Sequence, residues 1–159
     1  MILVLLGTQN NSFHRLLEEV QRNIDTGNIN EKVIVQKGYT KFESKDMEIY
    51  DKIPIKELEE LINQANLIIT HGGVGSIINS ISRDKKVIAV PRLKKYKEHV
   101  NDHQLDIIES FNEKKYIIGL QNVKELEDAL KKVNDFNPNR YIKNTGNIIE
   151  IIENFIENN

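Results

Sequence analysis

The sequence has no cysteine. That removes disulfides, thiolate metal sites and a cysteine nucleophile together. Proline occurs only 3 times while hydrophobic residues make up 39%, so the composition is not that of a disordered or linker-like chain. Charge of neither sign dominates: 22 Lys and Arg stand against 24 Asp and Glu, a formal net charge of −2. Charge therefore gives no reason to expect a nucleic-acid partner. No apolar run approaches the roughly 18 residues that would cross a membrane. The opening run Met1–Leu6 lacks a basic flank and a small-residue cleavage site, so no signal peptide is expected. There is no internal repeat. At 159 residues the chain is expected to form one soluble, cytoplasmic domain with a substantial core, spanning 1–159.

What is present is an alternation of short apolar runs with longer amphipathic stretches. Met1–Leu6, Lys32–Gln36, Asn66–Thr70 and Lys86–Val90 read as strands buried on both faces. Met47–Ile53 holds a candidate third strand and Tyr116–Ile118 a candidate last one. Between them, Ser12 to Thr26 carries apolar residues at helical spacing and stops at Gly27. Pro54 suits the first turn of a helix with Leu58, Leu61 and Ile62 on its apolar face. Further helices are expected over Ile77–Ser82, through Leu105 to Phe111, over Val123–Val133 and over 138–157. Alternating strands and helices predict an α/β fold: a Rossmann-like parallel sheet with helices on both faces. Such sheets bind ligands beyond the carboxyl ends of their strands.

Several chemistries of that fold are excluded by what its loops lack. The first loop, Gly7-Thr8-Gln9-Asn10-Asn11-Ser12, has one glycine, and strand two ends in Gln36-Lys37 with no acid. A dinucleotide fingerprint needs more glycine and an acid there. No phosphate-binding G-x-x-x-x-G-K-[ST] loop and no G-x-S-x-G nucleophile turn occurs.

Two segments carry chemistry. His71-Gly72-Gly73-Val74-Gly75-Ser76 reads as a tight strand-to-helix loop. Glycines let a backbone approach a ligand, and the following helix aims free N–H groups at an anion. A phosphate cradle and a plain capped turn both fit, and His71 is either a core histidine or a functional one. The second segment, Pro91 to Gln104, gathers Glu98, His99, Asn101, Asp102, His103 and Gln104. Such side chains pair well with sugar hydroxyls. A solvated helix start is the plainer reading. Zinc at His99 and His103, spaced i, i+4, is a rival that lacks a third ligand and the usual acid. Arg92, Lys94, Lys95 and Lys97 form a basic cluster facing a diphosphate, an anionic lipid surface or only solvent.

Met1-Ile-Leu-Val-Leu-Leu-Gly-Thr8, Ile68-Ile-Thr-His-Gly-Gly-Val-Gly-Ser-Ile77, Val90-Pro-Arg92 and Glu98-His-Val-Asn-Asp-His-Gln104 together resemble the C-terminal, nucleotide-sugar-binding half of family 28 glycosyltransferases. The resemblance is strongest to small subunits of two-component enzymes. These include bacterial capsule or exopolysaccharide β-1,4-galactosyltransferase subunits and the eukaryotic dolichol-linked N-acetylglucosaminyltransferase subunit. It covers roughly residues 1–120.

The resemblance implies the C-terminal half of a GT-B enzyme that transfers sugar with inversion and without a metal or other cofactor. The donor would be UDP-galactose or UDP-N-acetylglucosamine. The acceptor would be a lipid-diphosphate-linked sugar in surface polysaccharide synthesis. It places the diphosphate at Gly7, Thr8, Gly73, Val74, Gly75 and Ser76. Uracil would lie near Ile53 and Ile55. Ribose and sugar would lie near Asn79, Glu98, Asn101, Asp102, His103 and Gln104, Asn79 standing where related enzymes often carry a glutamate. The acceptor-binding half would come from a membrane-associated partner subunit, which recruits this chain to the inner face of the membrane. The general base is expected on that partner, with His71 the one candidate here. The terminal helix, with Ile148, Ile149, Ile152, Phe155 and Ile156 on one face, either packs on its own sheet or meets the partner. Two other readings stay open: a non-catalytic scaffolding subunit and a UDP-sugar epimerase-like half-domain.

Overall fold

The computed structural model describes residues 1–142. In chain order the strands and helices are β1 (Ile2–Leu5), α1 (His14–Asp25), β2 (Val33–Gln36), β3 (Met47–Tyr50), α2 (Ile55–Gln64) and β4 (Leu67–His71). They continue with α3 (Val74–Ile81), β5 (Lys86–Val90), α4 (His103–Glu113), β6 (Ile118–Gly119) and α5 (Leu126–Lys132). The strands form one six-stranded sheet in the order β3-β2-β1-β4-β5-β6, and every neighbouring pair is parallel.

β1 and β4 run side by side in register, Ile2 beside Leu67 and Leu5 beside Thr70. Their apolar runs are continuous because both faces of the sheet are covered. On one face Ile2, Val4, Ile69 and Ile88 meet Leu16, Leu17 and Val20 of α1 and Leu126 and Ala129 of α5. On the other, Leu3, Leu5, Ile68 and Val87 meet Ile62 of α2, Ile77 and Ile81 of α3, and Ile107 and Phe111 of α4. Successive residues of one strand thus feed opposite cores.

The strand order reverses between β1 and β4. The chain leaves β1 towards one edge and returns at β4 to build the other, which opens a crevice at the carboxyl ends of these two strands. The loops carrying Gly7 and Gly73 border that crevice.

Three boundaries differ from the expectations. α3 starts at Val74, so Gly75 and Ser76 belong to its first turn and the loop shrinks to Gly72-Gly73. β6 starts at Ile118, after a left-handed Lys115 (φ 58°) ends α4. There Tyr116 N–H bonds Phe111 O and Lys115 N–H bonds Asn112 O, a Schellman closure. The expected helix over 138–157 does not begin at its predicted start: residues 136–142 are not helical, and 143–159 lie outside the described residues.

Candidate functional site

The crevice is built glycine against histidine. His71 ends β4 with its side chain buried at 6% exposure. A Cβ on Gly7 would lie 2.7 Å from His71 Nε2, and one on Gly73 would lie 2.4 Å from His71 Cε1. Both positions must be glycine for the imidazole edge to fit between the two loops. Gly7 also adopts φ +76°, a conformation that favours glycine. Behind it, a Cβ on Gly38 would lie 2.5 Å from Gly7 O, so the loop after β2 backs the loop after β1.

Gly75 differs. A Cβ there would meet nothing within 4 Å. The protein itself does not require glycine at this exposed first turn of α3. Gly73 begins that helix with no side-chain cap, so the N–H groups of its first turn face the crevice uncapped.

Gln104, in the first turn of α4, ties the end of β4 and the loops after β4 and β5 together. Its Oε1 accepts from Gly72 N–H at 2.9 Å and from Arg92 N–H at 3.0 Å, and its Nε2 lies 3.2 Å from His71 Nδ1. Nδ1 is thus engaged, and among the described residues no group accepts from Nε2. Burial first, and the charge of Arg92 second, push the His71 pKa down to about 3. The ring is neutral at physiological pH.

Arg92 is 1% exposed, not part of a solvated basic cluster. Its Nη1 donates to Asn11 O at 2.7 Å and Glu98 O at 3.1 Å, and its Nη2 donates to Leu6 O. It stacks 5.2 Å from the Phe13 ring centroid. Burial lowers its pKa to about 10, so it stays a cation. Lys94, Lys95 and Lys97 are exposed as expected.

Several assigned roles change. Glu98 was expected on ribose or sugar, but it is 2% exposed and saturated. Arg15 Nε donates to Oε1 at 2.6 Å, Arg15 Nη2 to Oε2 at 2.9 Å, and Leu93 N–H to Oε2 at 2.9 Å. Gln104 is likewise buried, and its contacts are to protein. His71 does not suit a general base, because its Nδ1 is held by Gln104 and burial opposes protonation. Ile53 was expected near uracil, but its side chain is in the core and its N–H donates to Gln36 Oε1 at 2.8 Å. Ile55, by contrast, is 75% exposed at the start of α2. The zinc pairing loses its geometry: α4 begins at His103, so His99 is not on the same helix. Among the described residues no group of three His, Asp or Glu gathers as a metal site.

The remaining candidates lie on the first loop, along α3 and at the start of α4. Thr8 is exposed, and Val74 and Ser76 are half-buried. Asn79 accepts from Arg83 Nε at 3.2 Å one turn further along α3. Asn101 Oδ1 accepts from His103 N–H at 3.1 Å, and Asp102 Oδ1 from Lys94 N–H at 2.8 Å. His99 reaches across to the first loop, its Nε2 at 3.4 Å from Gln9 Nε2. Arg15 and Gln36 carry no signal in the sequence, whereas Gly38 shows there as a glycine opening the loop Gly38–Phe42 just past a strand.

A separate concavity of about 610 Å³ opens between α4 and β6. Asp102, Asp106, Glu109 and Glu113 line it, so it repels the anion that the crevice suits.

Comparison with known proteins agrees with this architecture. The glycosyltransferase family 28 C-terminal domain matches residues 1–158. The UDP-N-acetylglucosamine transferase subunit ALG13 of Candida albicans is 32% identical over 100 residues, 63% of this chain. The chain spans about a third of that relative, 32% of its length. The NMR solution structure of ALG13 superposes with a TM-score of 0.62 at 16% identity, covering 94% of this chain and 93% of that one. A crystal structure of the glycotransferase of kitacinnamycin superposes with a TM-score of 0.54 at 15% identity, over 98% of this chain but 38% of that one. The fold is thus the one expected, equivalent to the C-terminal half of a GT-B glycosyltransferase. With the family match running over nearly its whole length, the chain belongs to the glycosyltransferase family 28 C-terminal domains.

Proposed function

We propose that this chain is the donor-binding, catalytic subunit of an inverting two-component glycosyltransferase. One observation carries the reading: the imidazole of His71, nearly buried between Gly7 and Gly73, has no acceptor at Nε2 among the described residues and borders the uncapped first turn of α3. An unpaired donor beside free helix N–H groups suits a diphosphate. Gly7, Thr8, Gly73, Val74, Gly75 and Ser76 would surround it. As the glycosidic bond breaks, negative charge grows on departing UDP. These N–H groups are placed in advance to stabilise it.

UDP-N-acetylglucosamine is the first donor to test, because the Candida relative is named for it. UDP-galactose is the second. Ile55 would lie near uracil, and Asn79, Asn101, Asp102 and His103 near ribose and sugar. No cofactor is assigned. The acceptor would be a lipid-diphosphate-linked sugar in surface polysaccharide synthesis. A membrane-associated partner would supply the acceptor site and the general base, holding this cytoplasmic chain at the inner face of the membrane. Among the described residues no helix is long and apolar enough to cross a membrane.

The test is saturation-transfer NMR with UDP, UDP-N-acetylglucosamine, UDP-galactose, CMP and NAD. Selective UDP signals support a donor subunit, and the stronger nucleotide sugar names the donor. Silence for every ligand, with retained binding to a partner subunit, would make it a scaffold.

A further inference from the structure

The Gln104 side-chain amide can be oriented without ambiguity. Two backbone N–H groups, of Gly72 and Arg92, point at one of its ends, which must be the carbonyl oxygen. The other end is therefore nitrogen, and an amide nitrogen only donates. It lies 3.2 Å from Nδ1 of His71. Nδ1 must then accept, which leaves the single proton of the neutral ring on Nε2. Arg92 and His99 are the charged and titratable groups acting on the ring, and both oppose a second proton. The two carboxylates of this loop are engaged elsewhere, Glu98 by Arg15 and Asp102 by the Lys94 N–H.

We propose that Gln104 is a positioning residue acting through His71: it locks the neutral Nε2–H tautomer and so makes the ring a permanent hydrogen-bond donor to a diphosphate seated at Gly7 and Gly73. In the other tautomer Nε2 would turn a lone pair towards the phosphate oxygens, and attraction would become repulsion. The same amide holds Gly72 in place, since a Cβ there would come within 2.7 Å of Gln104 Cβ. One glutamine therefore sets both the loop and the polarity of the ring beneath it. The ligand in this inference rests on the donor-binding reading; the tautomer does not.

The test starts on the unmodified chain. Long-range 15N–1H spectra of the His71 ring should show a pyridine-type Nδ1 and a pyrrole-type Nε2, unchanged between pH 8 and pH 5. The opposite assignment, or an imidazolium at pH 6, overturns the proposal. UDP added to the same sample should move Nε2 more than Nδ1. If UDP does not bind, the donor reading fails and the tautomer stands. If UDP binds and Nε2 stays still, the proposed role fails. Gln104→Glu provides the second arm. Its carboxylate accepts where the amide donated, so Nδ1 should become protonated. UDP binding at pH 8 should weaken roughly tenfold or more, the loss of one charge-assisted hydrogen bond, and recover as acid adds the second proton. A folded Gln104→Glu chain with unchanged affinity, or with a loss that acid does not reverse, would show that Gln104 acts only on the loop.

Discussion

Arg15 grips Glu98 with two nitrogens, Nε to Oε1 at 2.6 Å and Nη2 to Oε2 at 2.9 Å. The pair fastens the loop after β5 to α1, and the Tyr96 ring stacks 3.8 Å from the Arg15 guanidinium. The two ends are unequally buried, with side-chain exposures of 21% for Arg15 and 3% for Glu98. Removing the arginine strands a carboxylate away from water, while removing the glutamate orphans the Leu93 N–H and takes the counter-charge from buried Arg92. Arg15→Ala and Glu98→Ala should each cost roughly 3 kcal/mol. The double variant should be less damaged than the sum. Urea unfolding of the four proteins measures this coupling, and strict additivity would show that the pair contributes nothing of its own.

The two glycines of the α3 turn should separate stability from binding. Gly73 lies where a methyl would enter the His71 ring, so Gly73→Ala should lower stability, by about 1–3 kcal/mol for an overpacked site. Gly75 faces open space in a helical turn, where alanine is the better helix former by up to about 1 kcal/mol. Gly75→Ala should melt no lower than the parent yet bind UDP about tenfold more weakly, as its methyl enters the diphosphate position. Unchanged UDP affinity in a folded Gly75→Ala chain would move the ligand away from this turn.

The strands were legible because their burial is written locally. Lys86–Val90 emerges residue for residue, opened by a lysine and closed by Pro91. The helix starts were less so. α3 begins at Val74, just past a Gly72 tied to Gln104 from 32 positions away, and no local pattern encodes that tie. The same limit governs the site. The glycines of the crevice could be found as glycines, but Glu98 and Gln104 read as sugar ligands because polar residues in a loop look solvent-facing. Their burial comes from Arg15, Gly72 and His71, remote in sequence. Arg92 sits among lysines in the sequence, yet it is buried by carbonyls 81 and 86 positions upstream.

Lys115 offers a correction that the protein has not made. It closes α4 in the left-handed region at φ 58°, where a side chain costs roughly 1 kcal/mol and glycine does not. Lys115→Gly should raise stability by about 0.5–1 kcal/mol, because the native gain exceeds the added freedom of the unfolded chain. Calorimetry reads it as a higher Tm. A lower Tm would mean that the lysine side chain contributes more than the strain.

His71 also makes stability depend on pH, and the direction follows from its depressed pKa. Folded, the ring titrates near 3; unfolded, it returns to the ordinary histidine value of 6.5. Between those values the unfolded chain binds the extra proton, so stability rises with pH across that window. The contribution is complete above about pH 6.5 and is lost on acidification towards pH 3. The limiting slope is about 1.4 kcal/mol per pH unit. His99 is also lowered, chiefly by burial, and acts in the same direction. Urea unfolding of the parent at pH 7 and pH 5 should therefore show a loss of roughly 1–2 kcal/mol. His71→Phe cannot be protonated, so its own loss over this interval should be smaller. Equal losses in both chains would mean that the folded ring takes up its proton freely, and that it is not the buried neutral donor the crevice requires.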